Sequence, residues 1–335
     1  MTPWFRFVGL MLLIGMVACR PSSEPSAGPP PLKVAFLYAG AGVDPAREVV
    51  AGELGARLQM HVEEQLGDEV AMEEALRSLV KEEHRLIFSM VSHAGAMVAM
   101  HHVAADAPSV HFEQLGGIKT MTNMRAFEAR TYEGAYLAGL VAGSLSQSHV
   151  LGVRVQMVTP SLEAVRIVNA FALGAQAVEP KSVTRVAGFD QGEASLGLGV
   201  DMVLHSTESG RISLQRVGAS GGEPLVVFAV DWAPYYRQTI QAALAEKWGA
   251  EPAWWGMHEE TVVLASLSAA VPAPLRQRVE QARDALRQGQ AGIWRGPLFG
   301  QDGKPVLRQG ELASDKFLYG MNFYVKGVEG QPQGL

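Results

Sequence analysis

The amino-acid sequence predicts an α/β protein of two lobes, each built around a mostly parallel β-sheet. Short apolar runs recur along the chain, as is typical of strands that are buried on both faces of a sheet. Segments with helical spacing of apolar residues separate these runs, and such alternation predicts an open sheet with right-handed crossovers. The alternation starts a second time near the middle of the 335-residue chain. Two rounds in a chain of this length predict two lobes with a cleft between them.

The individual elements follow from these runs. The runs that predict strands are LKVAFLYAG from Leu32, RLIFSMVSH from Arg85, APSVHFEQLGG from Ala107, HVLGVRVQMVTP from His149 and SVTRVAGFDQ from Ser182. The segments that predict helices are Pro45–Leu58, Glu69–Glu82, His93–Ala105, Tyr132–Leu145 and Ser161–Val178. The first round ends around Gln114, and the second round begins with NMRAFEARTYEG from Asn123.

The first residues predict a processing signal. Arg6 supplies positive charge, Phe7–Val17 is apolar, and Cys19 is the only cysteine of the chain. This apolar stretch is shorter than the roughly 20 residues that a membrane-spanning helix needs. The residues before Cys19 resemble the bacterial lipobox, which implies that residues 1–18 are a signal peptide and that Cys19 is acylated. The alternative is an ordinary signal peptide that contains a chance cysteine.

The segment after this signal predicts a tether. Residues 19–31 are rich in Ser, Pro and Gly, a composition that favours an extended, solvated chain. We assign residues 32–125 to the first lobe and residues 126–335 mostly to the second. The second range contains the hinge crossings, and a return of the C-terminal segment to the first lobe stays open.

Composition excludes several classes of function. The net charge of −6 and the absence of a Lys/Arg cluster argue against a nucleic-acid partner. One cysteine cannot form an internal disulfide or a multi-thiolate zinc site. His101 and His102 are neighbours that point about 100° apart on a helix, and HEETV from His258 lacks the second histidine of a zinc-protease helix. We therefore expect no metal site and no cofactor.

Two glycine-rich motifs do not predict an enzyme. GASGG at residues 218–222 has the nucleophile-elbow pattern around Ser220, but the run after it predicts a strand instead of the required helix. GAG at residues 40–42 lacks the third glycine of a dinucleotide loop. Asp44 stands directly before Pro45 and predicts a capped helix start. The sequence contains no nucleophile and general base at a spacing typical of a catalytic pair. A hydrolase that uses the same cleft is therefore an alternative class of protein that no motif supports.

The middle of the chain carries a family signature. FEARTYEGAYLAGLVAGSLSQSHVLG from Phe127 and IVNAFALGAQAV from Ile167 resemble the central signature of the basic membrane protein family. Members are lipoprotein substrate-binding components of ABC importers, related to the purine nucleoside receptor. Small residues recur at helical spacing in this signature, which predicts that one helix face approaches the sheet closely. We interpret this helix as a packing element and not as the pocket.

The C-terminal half extends this resemblance. Four segments resemble one branch of the family in order and spacing: DWAPYYRQTIQAAL, WWGMHEETVVLA, AAVPAPLRQRVEQARDAL and GPLFGQDGKPVL. The resemblance spans Lys33 to Pro332. It implies the type I periplasmic-binding-protein fold, in which hinge strands join two Rossmann-like lobes around a cleft.

The family resemblance also implies a ligand site. The ligand of the family is a purine base or nucleoside, held by aromatic stacking and by polar groups on its edges. Phe189 stands where the family places an aromatic residue near the ligand, and Asp190 follows it. The remaining candidates stand in DWAPYY and at the ends of the first, third and fourth strands: Asp231, Trp232, Tyr235, Tyr38, Ser92, His93 and Gln114. For each of them the alternative role is loop capping or core filling.

The sequence departs from the family at three places. The loop after the first strand is short and lacks the family's aromatic residue, RVGASGGEP stands where the family has an Asp-containing loop, and Val230 stands where the related branch has Trp. These departures leave open a ligand other than a purine.

The predicted function is ligand capture by a monomeric, membrane-anchored solute-binding protein outside the cytoplasm. The two lobes close on a small ligand, with a purine nucleoside or base as the first candidate, and the closed form delivers it to an ABC permease. The alternative is a non-transport sensing or interaction lipoprotein on the same fold with an altered pocket. We expect no enzymatic activity.

Overall fold

A computed structural model describes residues 30–41, 44–117, 120–155, 161–188, 191–207, 209–218, 223–290 and 292–332. The predicted signal peptide and Cys19 lie outside these residues, as do Phe189, Asp190 and residues 219–222 of GASGG. Of the helices in the described ranges, none combines the length and the hydrophobicity needed to cross a membrane.

The described residues form fifteen strands and eight α-helices. The strands are β1 (Leu32–Leu37), β2 (Leu58–Glu63), β3 (Leu86–Ser89), β4 (His111–Leu115), β5 (Met124–Ala129), β6 (Val150–Val155), β7 (Val183–Gly188), β8 (Met202–Ser206), β9 (Ile212–Arg216), β10 (Val226–Val230), β11 (Ala253–Trp255), β12 (Val262–Leu267), β13 (Leu298–Phe299), β14 (Pro305–Leu307) and β15 (Val328–Glu329). The helices are α1 (Pro45–Leu54), α2 (Glu69–Lys81), α3 (Ala94–Asp106), α4 (Tyr132–Leu145), α5 (Leu162–Gln176), α6 (Ala233–Leu244), α7 (Ala273–Arg287) and α8 (Asp315–Tyr319).

The first sheet has six parallel strands in the order β11-β5-β4-β3-β1-β2. Buried apolar residues cover both of its faces. The apolar runs in β1, β3 and β4 are among those from which strands were predicted. Because all six strands are parallel, their carboxyl ends meet at one edge of the sheet. That edge is where ligands bind in open α/β sheets.

The second sheet has seven strands in the order β12-β10-β9-β8-β6-β7-β15. β6 pairs in parallel with β7 and β8, and β15 pairs in parallel with β7. β9 runs antiparallel to β8 and β10, and β12 runs antiparallel to β10. The carboxyl ends of β6, β7, β8 and β10 therefore point to the same side. Two α/β lobes with a cleft between their strand ends are the predicted architecture.

The chain changes lobe three times. It leaves the first lobe after β5, returns after β10 through α6, which packs against α1, and leaves again after β11 to form β12. The segment that starts at Asn123 thus contributes β5 to the first sheet before it enters the second lobe, and the expected limit between residues 125 and 126 falls inside this strand. The segment that returns to the first sheet is α6 with β11, whereas the C-terminal strand β15 lies in the second sheet.

The glycines of the family signature bring two helices together. A Cβ atom added at Gly139 of α4 would lie 2.2 Å from the carbonyl oxygen of Phe171 in α5, and one added at Gly174 would lie 2.1 Å from that of Tyr136. Only Gly134 of this group approaches the sheet, where an added Cβ would lie 2.8 Å from the Cβ of Phe228. The small face therefore serves mainly the contact between α4 and α5, and not the contact with the sheet that the sequence predicts.

Candidate ligand cleft

A cavity of about 740 Å³ lies between the two lobes. Its first-lobe wall is the start of α1 and the start of α6, and its second-lobe wall is β12 and the end of α7. The second crossing, from Ala229 to Pro234, forms a third wall between them. Asp44, Asp231 and Trp232 line this space. An occupant of the cavity would touch both lobes.

Asp44 connects three elements at the edge of this cavity. Its Oδ1 atom caps α1 by accepting hydrogen bonds from the backbone N–H groups of Ala46 (3.1 Å) and Arg47 (3.3 Å). The predicted capped helix start is therefore confirmed. Its Oδ2 atom accepts hydrogen bonds from the hydroxyls of Tyr38 (2.8 Å) and Tyr236 (2.9 Å). The carboxylate thus ties the end of β1 and the start of α1 to α6.

The two tyrosines act as hydrogen-bond donors to Asp44. Burial, with the Asp44 carboxylate nearby, raises the pKa of Tyr38 and of Tyr236 far above the usual value, so both phenols keep their protons. The Arg47 guanidinium lies 5.6 Å from the centre of the Tyr38 ring. Tyr38, a predicted ligand contact, is thus engaged with Asp44. The sequence signal for Asp44 was the Asp-Pro pair, which predicted its cap but not its position at a cleft.

Trp232 and Asp231 lie where the second crossing meets α6. The Trp232 ring is half-buried and stands perpendicular to the Phe127 ring, with ring centres 5.1 Å apart. The Asp231 Oδ1 atom accepts a hydrogen bond from the backbone N–H of Ala233 (2.9 Å). Its backbone N–H donates to Thr261 O (2.8 Å), a contact between the second and third crossings. Of the predicted site residues that the structure describes, Asp231 and Trp232 line the cavity.

Tyr235 occupies a different place. Its side chain is buried in the core of the first lobe, and its hydroxyl donates to Glu113 Oε2 (2.6 Å). The Glu113 carboxylate also accepts from Arg125 Nε (2.8 and 2.9 Å) and from Trp248 Nε1 (2.6 Å). Full burial raises the pKa of Glu113, although Arg125 opposes this effect. This network, which no sequence pattern indicated, fastens α6 to the first sheet and so positions Trp232.

Three further predicted residues lie at the ends of β3 and β4. His93 caps α3, because its Nδ1 atom accepts a hydrogen bond from the backbone N–H of Ala96 (3.1 Å). Gln114 is buried, and its amide donates to the carbonyls of Val91 (2.7 Å) and Leu115 (2.9 Å). Ser92 is exposed. These side chains do not line the 740 Å³ cavity, and in the structure His93 and Gln114 have capping and bracing contacts.

Two half-buried carboxyl groups stand at the lobe crossings. Glu128 is the penultimate residue of β5, and Glu133 lies in the first turn of α4. Burial raises the pKa of each to about 7. Glu133 Oε2 accepts a hydrogen bond from the backbone N–H of Met257 (2.6 Å), which connects the first crossing to the third. Among the residues that the structure describes, no cluster of three His, Cys, Asp or Glu side chains could hold a metal ion.

Comparison with known proteins places this chain among transport proteins. Residues 51–191 match the family model described as ABC transporter substrate-binding protein PnrA-like. Over 330 residues the chain is 31% identical to a purine-binding protein of Brucella abortus, an alignment that covers 89% of this chain and 93% of the relative. The chain belongs to this family. The resemblance identified in the sequence is confirmed.

A second sequence relative and two solved structures are also similar to this substrate-binding protein. A putative ABC transporter glucose-binding protein of Haloferax volcanii is 28% identical over 257 residues, covering 69% of this chain and 62% of the relative. A solved solute-binding protein of Conexibacter woesei superimposes with a TM-score of 0.56 at 17% identity, covering 78% of this chain and 97% of that one. A transcriptional activator of the comK gene from Bacillus halodurans gives 0.53 at 15% identity, with 77% and 99% covered. The predicted type I periplasmic-binding-protein fold is confirmed.

Family membership sets the broad function. Proteins of this family are substrate-binding proteins of ABC transporters and not enzymes, and they act outside the cytoplasm. The cavity between the lobes is the natural place for such a protein to hold a small molecule, because ligands in open α/β folds bind at the carboxyl ends of the strands.

Proposed function

We propose that this substrate-binding protein captures a purine nucleoside or base between its lobes and delivers it to an ABC permease. The observation that carries the proposal is the half-buried Trp232 ring in an interlobe cavity whose walls also carry Asp44 and Asp231. Stacking of a base on an aromatic ring contributes about 1–3 kcal/mol. Carboxylates accept hydrogen bonds from the N–H groups of a base and from ribose hydroxyls. The named ligand class of the 31% identical relative supports this assignment.

Capture follows from contact with both lobes. A ligand that rests on Trp232 and reaches β12 gains contacts when the lobes approach each other, so it binds the closed form more tightly than the open form. Only this difference in affinity between the two forms can shift the equilibrium toward the closed form. The permease then recognises the closed monomer. A lipid on Cys19 and the tether of residues 19–31 keep the binding lobes beside the membrane.

Calorimetric titration of wild type and a Trp232→Leu variant tests the ligand class. We expect adenosine, guanosine, inosine or a free purine to bind wild type, and we expect the variant to bind about 10-fold or more weakly, because one stacking contact is lost. Phe299→Leu is the matched control, because this partly exposed aromatic side chain on β13 does not line the cavity. Equal affinity of wild type and Trp232→Leu would contradict the assignment of Trp232.

The same titration distinguishes a purine from a sugar. Glucose is included because the 28% identical relative is a putative glucose-binding protein. Binding of glucose without binding of any purine would overturn the purine assignment and leave capture by the lobes intact.

Membrane anchoring has its own test. Cys19→Ser removes the acylation site, so we expect the variant to leave the membrane fraction while its affinity for the ligand stays unchanged. Full retention of the variant in the membrane fraction would refute the anchor.

A further inference from the structure

The Trp-Trp pair of β11 places one indole in each lobe. β11 is the edge strand of the first sheet, and successive side chains of a strand point to opposite faces. Trp255 packs in the first lobe, where its ring stands edge-on to Tyr235 with centres 5.0 Å apart. Trp254 is buried in the apolar core of the second lobe. A strand of one lobe therefore contributes a core side chain to the other.

Groups from the second lobe and from the first crossing surround Trp254. The guanidinium of Arg166, on α5, lies 4.9 Å from the centre of its ring, and that of Arg130, directly after β5, lies 4.4 Å away. The ring of Tyr319, on α8, has its centre 4.3 Å away. We call Trp254, Arg130, Arg166 and Tyr319 the indole clasp. Arginines that face an indole are attracted by its ring electrons, most strongly where water is excluded.

Hydrogen bonds hold the first-lobe side of the indole clasp in place. The Trp254 indole N–H donates to Ala129 O (3.2 Å), and Trp254 O accepts from Arg130 Nε (2.9 Å). Trp254 also lies opposite Glu128 in the pairing of β11 with β5, and Glu128 Oε2 accepts from Arg166 Nη2 (3.3 Å). An ion pair and a ring contact therefore run side by side between the lobes.

Hydrogen bonds also fix the second-lobe side of the indole clasp. Arg166 is almost fully buried and donates to Leu318 O (3.3 Å), next to Tyr319. Arg130 makes two bonds to the Asp315 carboxylate at the start of α8 (3.1 and 2.8 Å). The indole clasp thus stands where two of the three crossings, the first and the third, leave the first sheet.

We propose that the indole clasp positions the lobes for capture: it restricts the range of angles between them in the ligand-free protein. A narrower range leaves less conformational freedom to lose when the lobes close, so the clasp strengthens ligand binding without touching the ligand. Trp254 is a positioning residue in this scheme. The inference rests on capture by lobe closure, part of the proposed function, and is independent of the chemical identity of the ligand.

The test measures the distance between lobes. Spin labels are placed at Glu74→Cys on α2 and Gln277→Cys on α7, two exposed positions in different lobes, in a Cys19→Ser background. Double electron–electron resonance then gives the distance distribution without ligand. We expect Trp254→Leu to broaden this distribution and to raise, about 10-fold, the Kd of the purine that binds wild type most tightly in the calorimetric titration. Trp254→Phe, which keeps a ring for the arginines, should restore most of the narrow distribution and of the affinity.

Two further variants distinguish a loss of lobe positioning from a general loss of packing in the hydrophobic core. Trp294→Leu removes an equally buried indole of the second-lobe core that is not a member of the clasp. Its ring packs on Tyr132, which in turn stands edge-on to Trp254 with ring centres 5.6 Å apart. The Trp294→Leu variant should lower thermal stability without broadening the distribution. Tyr319→Leu removes a half-buried member of the clasp, folds more readily than Trp254→Leu, and should give a smaller broadening.

The distance distributions and the Kd values together decide whether the indole clasp positions the lobes. If Trp254→Leu and Tyr319→Leu leave the distribution as narrow as Trp294→Leu does, the indole clasp has no positioning role. A broadened distribution with unchanged Kd also overturns the proposal. The ligand-free measurement needs no knowledge of the ligand, so failure of wild type to bind a purine would contradict the purine assignment alone.

Discussion

Glu113 is a fully buried carboxylate whose partners come from three separate parts of the chain. Arg125 pairs with it from β5, whereas Tyr235 and Trp248 reach it from α6 and the segment that follows. Removal of one partner of a buried ion pair leaves the other charge without compensation. The group therefore holds α6, and with it the Trp232 wall of the cavity, against the first sheet.

The first prediction concerns this ion pair. Glu113→Gln should lower the free energy of unfolding by about 3–5 kcal/mol, because Arg125 stays buried without its carboxylate. Glu53→Gln is the control: it removes a pair with Arg237 at the surface, where water and salt screen the charges and such pairs contribute little. Urea denaturation measures both. Similar losses of unfolding free energy in the two variants would show that burial does not strengthen the contribution of the Glu113–Arg125 pair to stability.

The second prediction concerns the pH dependence of stability. Burial raises the pKa of Glu133 from 4.5 to about 7 in the folded protein. Between these values the folded state holds a proton that the unfolded chain has released, so the contribution of Glu133 to stability falls as pH rises and reaches its minimum above pH 7. Glu133→Gln keeps the oxygen that accepts from Met257 but cannot ionise.

The measurement compares unfolding free energies of wild type and Glu133→Gln at pH 5 and pH 8. The variant should gain relative to wild type at the higher pH, by up to about 3 kcal/mol, because one pKa unit corresponds to about 1.4 kcal/mol. All other titrating groups are shared and cancel in the comparison. A difference between the two proteins that does not change with pH would contradict the raised pKa.

The hydrogen bonds of Asp44 join residues that are close in the sequence and residues that are far apart in it. The cap formed by Asp44 follows from the order Asp-Pro and was predicted, because donor and acceptor lie within three residues. The Tyr236 hydroxyl that reaches the same carboxylate comes from 192 residues away. No spacing or composition indicates such a partner, so the sequence could place Asp44 at the start of a helix but not at the cleft.

At the scale of elements, α4 and α5 touch through their backbones, and the third prediction tests this contact. Gly174→Ala should lower the free energy of unfolding by at least about 2 kcal/mol, because the added Cβ would lie 2.1 Å from Tyr136 O and the helices would have to separate. Gly52→Ala is the matched control in α1, where an added Cβ meets nothing within 4 Å. It should stabilise the protein by up to about 1 kcal/mol. Thermal unfolding that shows the same sign for both would contradict the backbone contact.

The sequence predicts strongly periodic elements better than edge elements. α4 spans Tyr132–Leu145 as expected, because its apolar and small residues repeat over a long segment. α1 ends at Leu54 instead of Leu58, since Gly55 leaves the helical conformation with φ of 50° and the chain turns into the edge strand β2. β2 is only half-buried and mixes polar with apolar side chains, so its composition carries little strand signal.

At the scale of the whole molecule, the arrangement depends on pairings that local patterns do not contain. β11 joins the first sheet beside β5, although more than 120 residues separate Trp254 from its partner Glu128. Two rounds of strands and helices predicted two lobes, and only the family resemblance predicted that hinge strands join them. Asp231 and Trp232, which line the cavity, were among the sequence candidates because they belong to a segment that resembles the family; their role in ligand binding stays a prediction.

The central claim is that a purine nucleoside or base binds between the lobes, and thermal unfolding of the mature protein against a panel of such compounds tests it most directly. A ligand present at 100 times its Kd stabilises the folded state by about 2.7 kcal/mol, which corresponds to a rise of roughly 3–5 °C in Tm for a protein of this size. We predict such a rise with at least one purine at millimolar concentration, a smaller rise in Trp232→Leu, and none with glucose. No rise with any purine, with Tm and solubility of the protein otherwise normal, would contradict the account.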